Sequence, residues 1–96
     1  MAVSAFWQGQ EIARSDDTVV VEGNHYFDPK DVKQSLLIAS DSSTHCPWKG
    51  DASYYSIKLG DEINTDAAWY YPDPKEAALE IKDRIAFWRG VEVKED

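Results

Sequence analysis

The sequence predicts a small, mainly β domain with two short helices, and three observations lead there. Short runs rich in Val, Ile, Tyr, Phe and Trp alternate with Gly, Asn and Asp turn signals. Adjacent aromatics recur at Phe6-Trp7, Tyr26-Phe27, Tyr54-Tyr55, Trp69-Tyr70-Tyr71 and Phe87-Trp88. Two Asp-Pro pairs, Asp28-Pro29 and Asp73-Pro74, mark helix starts, because Asp accepts from orphan amides and Pro is tolerated at the first helical position.

Ala5-Phe6-Trp7 leads to a turn at Gly9, and Glu11 to Ser15 reads as a second strand. Asp16-Asp17 turns the chain into the β-branched run Thr18-Val19-Val20-Val21-Glu22. Gly23-Asn24 is the next turn, before Tyr26-Phe27. The first helix is expected from Pro29 to about Leu36, and the polar stretch Ser40 to Thr44 as a loop delivering the chain to Cys46. Gly50 ends the turn that follows. Ala52 to Leu59 is then a strand, Gly60-Asp61 starts a loop, and Ala67 to Tyr71 is another strand. At Asp73-Pro74-Lys75-Glu76 a helix begins, with Asp capping and Glu placed to reach back. Ala77, Ala78 and Ile81 carry helical spacing, which allows either a run through Trp88 or a stop near Lys82 with a strand after it. From Lys94 the polar residues read as a frayed tail.

A chain of 96 residues leaves room for one domain only, residues 1–96. So small a domain must draw its core from large side chains, and four Trp, five Tyr and three Phe supply them. The single Cys forbids an internal disulfide, and with no signal-like segment it points to a reducing cytoplasmic compartment. No run approaches a membrane span. Eighteen acidic against ten basic groups give a net charge of −8, a field that repels phosphate backbones and anionic lipid. Nucleic acid and membrane are therefore not the expected partners.

Successive side chains of a strand point to opposite faces, so a sheet with one wet face shows an aromatic followed by a polar residue. Doublets in most strands imply that both faces meet something apolar: a satellite cluster, a concave aromatic pocket or a partner surface. The plainer reading is half-buried rings with their polar tips in water. Trp69 and Tyr71 share one face and Tyr70 takes the other, which makes Trp69 and Tyr71 the pocket pair.

The turn Thr44-His45-Cys46-Pro47-Trp48-Lys49-Gly50 concentrates chemistry. Cys46 reads as a nucleophile if Lys49, three residues on, stabilises its thiolate, and otherwise as an inert packed thiol, the commoner case. His45 is a poor partner because chain neighbours in an extended segment point apart. Structural zinc needs four ligands drawn mainly from Cys and His, and one Cys with two unpaired His does not supply them, so no metal and no cofactor is expected. The isolated glycines make no phosphate loop. Glu22, behind three valines, is either an outward strand end or a carboxylate on a pocket wall, paired with Lys49 or Arg14.

Taken together, Ile12-Ala13-x-Ser15, Val21-Glu22, Tyr26-Phe27-x-Pro29-x-Asp31-Val32, Thr44-x-Cys46-Pro47-Trp48-Lys49-Gly50, Ala52-x-Tyr54-Tyr55 and Ala68-Trp69-Tyr70-Tyr71-Pro72-x-Pro74 resemble the family called domain of unknown function 427. The resemblance runs almost end to end. It implies a mainly β fold of coiled antiparallel sheets, like the β-tent or Mss4-like group that includes methionine sulfoxide reductase B and the thalidomide-binding domain of cereblon. It also implies a second helix that stops before Ile85. Relatives in that fold commonly hold zinc on two Cys-x-x-Cys knuckles, whereas here the one Cys is followed three residues later by Lys49. The family also carries a nucleotidyltransferase-like label, but this sequence has no Gly-Ser loop and no Asp pair of that chemistry.

Three functions follow, in order of expectation. The first is a non-metallated binding module for a small ligand, with Trp48, Trp69, Tyr71, Tyr54 and Glu22 lining an aromatic pocket. The second is a homodimerising interaction domain using Trp7 or Trp88. The third is a small thiol enzyme with Cys46 as nucleophile and Lys49 as its activating cation.

Overall fold

The structure is a computed structural model and describes residues 2–95. Nine strands are present among them: β1 Val3–Trp7, β2 Gln10–Ser15, β3 Val19–Val21, β4 Asn24–Tyr26, β5 Leu37–Cys46, β6 Gly50–Leu59, β7 Glu62–Tyr70, β8 Ile85–Phe87 and β9 Glu92–Glu95. They form three antiparallel groups: a sheet in the order β2-β1-β9, the hairpin β3-β4, and a sheet in the order β5-β6-β7-β8. Reciprocal amide bonds of 2.8 Å between Phe27 and Ile85 tie the hairpin to the free edge of β8. The mainly β expectation therefore holds.

The doublets explain the layering. One face of the four-stranded sheet carries Ile57, Ala68, Ile85 and Phe87, which pack with Val3, Ala5, Ile12 and Ala13 of the first sheet, Tyr55 and Tyr70 stacking beside them at 4.7 Å. The other face carries Ala52, Ala86, Tyr54 and Trp69, which pack with Tyr26, Tyr71, Ala78 and Ile81 and with Val19 and Val21 of β3. Both faces of one sheet are thus apolar, as strands of paired aromatics require. The second cluster is the smaller one, and it opens onto the site described below.

Neither expected helix is an α-helix. Pro29–Asp31 and Gln34–Leu36 are two single 3₁₀ turns separated by extended backbone at Val32 and Lys33. Val32 is buried in a bridge to Ala13, and the Lys33 amide donates to Ile12 O at 2.8 Å, so that stretch is bound to β2 instead of coiling. Asp28 does cap, accepting from the Lys30 amide at 3.0 Å. The second helix is a 3₁₀ segment, Glu76–Ile81, broken by the dihedrals of Ala78. It starts later than Asp73-Pro74 because the Lys75 amide is spent on Lys49 O, at 2.8 Å. It stops at Ile81, and Ile85–Phe87 follows as a strand.

Three more boundaries move. Ser40 to Thr44 is not a loop but part of β5, an edge strand whose register slips between Ala39 and Ser43. Its polar residues reflect an exposed edge, where side chains need not be apolar. Strand β7 begins at Glu62 instead of Ala67. Lys94 and Glu95 are not frayed but pair with Ser4 and Val3 in β9, their side chains exposed; Asp96 lies outside the described residues. No helix among the described residues is long and apolar enough to cross a membrane.

Candidate functional site

The three residues Pro47, Trp48 and Lys49 turn β5 into β6, with Cys46 paired to Gly50 at the base. Two bonds hold this turn to the chain beyond β7: the Lys75 amide to Lys49 O at 2.8 Å and the Lys75 ammonium to Pro47 O at 2.6 Å. Gly50 has φ +114°, and an added Cβ would stand 3.4 Å from Asp73 O. The corner is rigid because backbone meets backbone on its inner side.

That rigidity fixes Lys49, whose side chain is only 9% exposed. Its ammonium pairs with the Glu22 carboxylate and lies 5.4 Å from the ring centre of Tyr71 and 5.5 Å from that of Trp48. Glu22 occupies the first position of the two-residue turn joining β3 to β4, with φ +53° followed by Gly23 at +80°. Turns of this form favour Asn-Gly, so a Glu held there is backbone strain sustained by a side-chain partner. Burial works most strongly against the Lys49 charge, yet the hydrogen bond it donates to Glu22, together with the charges of Tyr26, Tyr71 and Glu22, outweighs burial and raises its pKa above the usual lysine value. The nearby phenols of Tyr26 and Tyr71 add to this only once ionised, so Glu22 is the counter-ion at neutral pH. The Lys49 hydrogen bond and then its charge hold the Glu22 carboxyl below the ordinary range, with a lesser contribution from Trp48. Burial pushes the Tyr71 phenol up, against the pull of Lys49.

Lys49 forms one side of a solvent-open hollow of about 170 Å³ whose other walls are Tyr54, Trp69, Tyr71 and Trp88. Alternation in β6 and β7 turns Tyr54 and Trp69 to the same face, and they are directly paired across the strands. Trp88, just past β8, meets Trp69 edge-on at 5.5 Å and Tyr54 at 6.4 Å. The polar tips of these rings are tied back into the protein. Trp69 Nε1 donates to Tyr26 at 3.1 Å, Trp88 Nε1 to Asp66 O at 2.5 Å, and the Tyr54 hydroxyl bonds Thr44 at 2.8 Å. What remains for a guest is ring surface together with Tyr71 and the Lys49 cation.

The structure thus brings Trp69, Tyr71, Tyr54 and Lys49 together. Glu22 does not line the hollow but reaches it through Lys49, and Trp48 stands outside, 40% exposed, beside the ammonium. Cys46 is half-buried against the second apolar cluster and is not among the residues lining the hollow. Trp88 is the wall that sequence reading assigned elsewhere; its signal was the Phe87-Trp88 doublet, of which Phe87 is consumed by the first core. Trp7 packs against that same core. Among the described residues no three His, Cys, Asp or Glu side chains gather to hold a metal ion.

Across its whole length, residues 1–96, the chain matches the family described as Domain of unknown function (DUF427), and it belongs to that family. No curated protein matches it significantly.

Proposed function

We propose that this family member is a binding module for a small planar molecule, held in the hollow between Trp69, Trp88, Tyr54 and Tyr71 with an acceptor atom directed at Lys49. The observation that carries the proposal is the pairing of four rings, of which Tyr54, Trp69 and Trp88 have their polar tips already bonded within the protein, with one buried ammonium at the wall. Aromatic walls provide contact area, and a single placed donor fixes orientation. A volume of about 170 Å³ is close to that of a cavity that holds one benzene ring, and below that of drug-sized sites. The guest is accordingly a single ring.

The likeness to the β-tent group, whose members include an aromatic-walled binding domain, belongs to this proposal, as does a cytoplasmic location suited to the lone thiol. A thiol enzyme has less behind it, since Cys46 packs on the second cluster and Lys49 is engaged by Glu22. Dimerisation through Trp7 or Trp88 competes with the packing those residues already make.

Benzamide, a single ring with a carbonyl acceptor, tests the reading. Titrated into ¹⁵N-labelled protein, it should shift the indole N–H signals of Trp69 and Trp88, and Trp69→Leu should abolish the shift at Trp88. Equal binding by Trp69→Leu, or shifts confined to Trp7 and Trp48, would mean that the hollow is not the site.

A further inference from the structure

Buried ion pairs usually strand both partners away from water. This one does not: the Lys49 side chain is 9% exposed and that of Glu22 is 52% exposed. Lys49 therefore needs an anion wherever it can find one, whereas Glu22 can return to water at little cost. Lys49 lines the hollow and Glu22 does not. Glu22 is also carried on a short hairpin turn in a left-handed conformation that its side chain does not favour, so releasing it relieves strain.

From this arrangement we infer that the ligand of the hollow is a single-ring aromatic carboxylate, and that its carboxylate displaces Glu22 from Lys49, freeing the tip of the β3–β4 hairpin. The inference rests on the binding reading above and adds two things to it: the charge of the ligand and a conformational signal of its arrival. Glu22 and the ligand share one partner, the Lys49 ammonium, and not one position. Each time the ligand binds, one carboxylate replaces another, so the buried ammonium keeps a counter-ion throughout and no unpaired charge is left inside. A neutral ring would instead sit beside an intact pair. The hairpin is the natural reporter, because Val19 and Val21 pack on the second cluster while its turn reaches toward the Lys49 corner.

Three probes separate the outcomes: sodium benzoate, benzamide and tetramethylammonium chloride, each titrated into ¹⁵N-labelled wild type and Glu22→Gln. Benzoate should move the Trp69 and Trp88 indole signals together with the Gly23 and Asn24 amides, whereas benzamide should move the indoles alone. Glu22→Gln removes the competing charge and keeps an acceptor for Lys49. It should tighten benzoate by about three- to tenfold and leave benzamide unchanged, since an occupant present in most molecules reduces apparent affinity by the fraction it blocks. If benzamide binds but benzoate neither tightens in Glu22→Gln nor moves Gly23, the exchange is wrong and the binding module stands. If none of the probes moves an indole signal, the binding module falls and the exchange with it. Tetramethylammonium binding more tightly than benzoate would make the hollow a cation cage and overturn the assignment. The wild-type Gly23 signal needs no variant, so the test survives a substitution that disturbs folding.

Discussion

The indole N–H of Trp69 donates to the phenol oxygen of Tyr26 at 3.1 Å, with the two rings edge-on and 6.2 Å apart. Tyr26 is fully buried at the end of β4, so this one bond links the wall of the hollow to the hairpin that carries Glu22. Removing the hydroxyl leaves the indole donor without its partner beneath the sheet. Tyr26→Phe should cost about 1–3 kcal/mol in urea denaturation. Tyr54→Phe, whose hydroxyl meets Thr44 in reach of solvent, should cost less than about 1 kcal/mol. A reversed order would show that the Tyr26 bond does not anchor the wall.

Lys49→Met distinguishes holding the fold from serving the site. The methionine fills similar volume among the same rings, and the carboxylate left behind is already half in water. Stability should therefore stay within about 1 kcal/mol of wild type, because the one charge left unpaired is solvent-exposed and not buried. Benzoate binding, followed by the Trp88 indole signal, should be lost at the same time. Glu22→Gln should lower the denaturation midpoint further than Lys49→Met does, because it leaves a buried cation with a neutral partner. Should Lys49→Met unfold the protein, Lys49 is structural first.

The carboxyls of Glu22 and Asp66 both sit below their ordinary values. Glu22 is held there by the Lys49 hydrogen bond, and Asp66 by hydroxyls of Ser40 and Ser42 that donate to its two oxygens at 2.5 and 2.7 Å. A depressed folded value means that the unfolded chain takes up the proton first. The stabilisation is present above the unfolded pKa values, 4.5 and 3.8, and is lost as pH falls below them through the folded ones. Lys49 and Tyr71, both raised, act oppositely: their contribution is present below the unfolded values of 10.5 and 10.0 and is lost as pH rises beyond them. Melting temperature should hold level between these limits, and Glu22→Gln should move the acid fall to lower pH. An acid limb identical in wild type and Glu22→Gln would mean that the pair contributes nothing to folding.

The layering and half of the hollow were legible in the sequence because alternation is a local rule. Adjacent aromatics required two apolar faces, and Trp69 with Tyr71 followed from a period of two. The helices were misread for a non-local reason: the amides of Lys33 and Lys75 are taken by Ile12 and Lys49, partners that no window of sequence contains. Strand β5 was hidden by its composition, since an exposed edge with hydroxyls serving Asp66 across β6 looks like a loop. Trp88 was legible as a doublet but not as a wall, because its place depends on where β8 ends against β7. For Glu22 the sequence offers two partners, Lys49 and Arg14. The structure chooses Lys49 by folding the hairpin over the Cys46 turn, a relation spanning 27 residues of sequence.

Gly50 tests whether the corner that aims Lys49 is as stiff as its contacts imply. With φ at +114°, the position is strained for any side chain, although an added Cβ would meet the backbone of Asp73 and Lys75 at 3.4–3.5 Å, in ordinary van der Waals contact. Gly9 also has a positive φ, +78°, but a Cβ there meets nothing within 4 Å. Both substitutions by Ala should destabilise. Gly9→Ala should cost about 1–2 kcal/mol, and Gly50→Ala more, about 2–3 kcal/mol, because +114° lies further outside the left-handed well than +78°. The cost at Gly50 should fall on the site: backbone relaxing toward an allowed φ turns the corner that aims Lys49. Gly50→Ala should thus weaken benzoate binding in the fraction that remains folded, whereas Gly9→Ala should leave it intact. Equal costs for the two variants, with binding preserved in both, would show that the corner yields and that Lys49 is positioned by Glu22 alone.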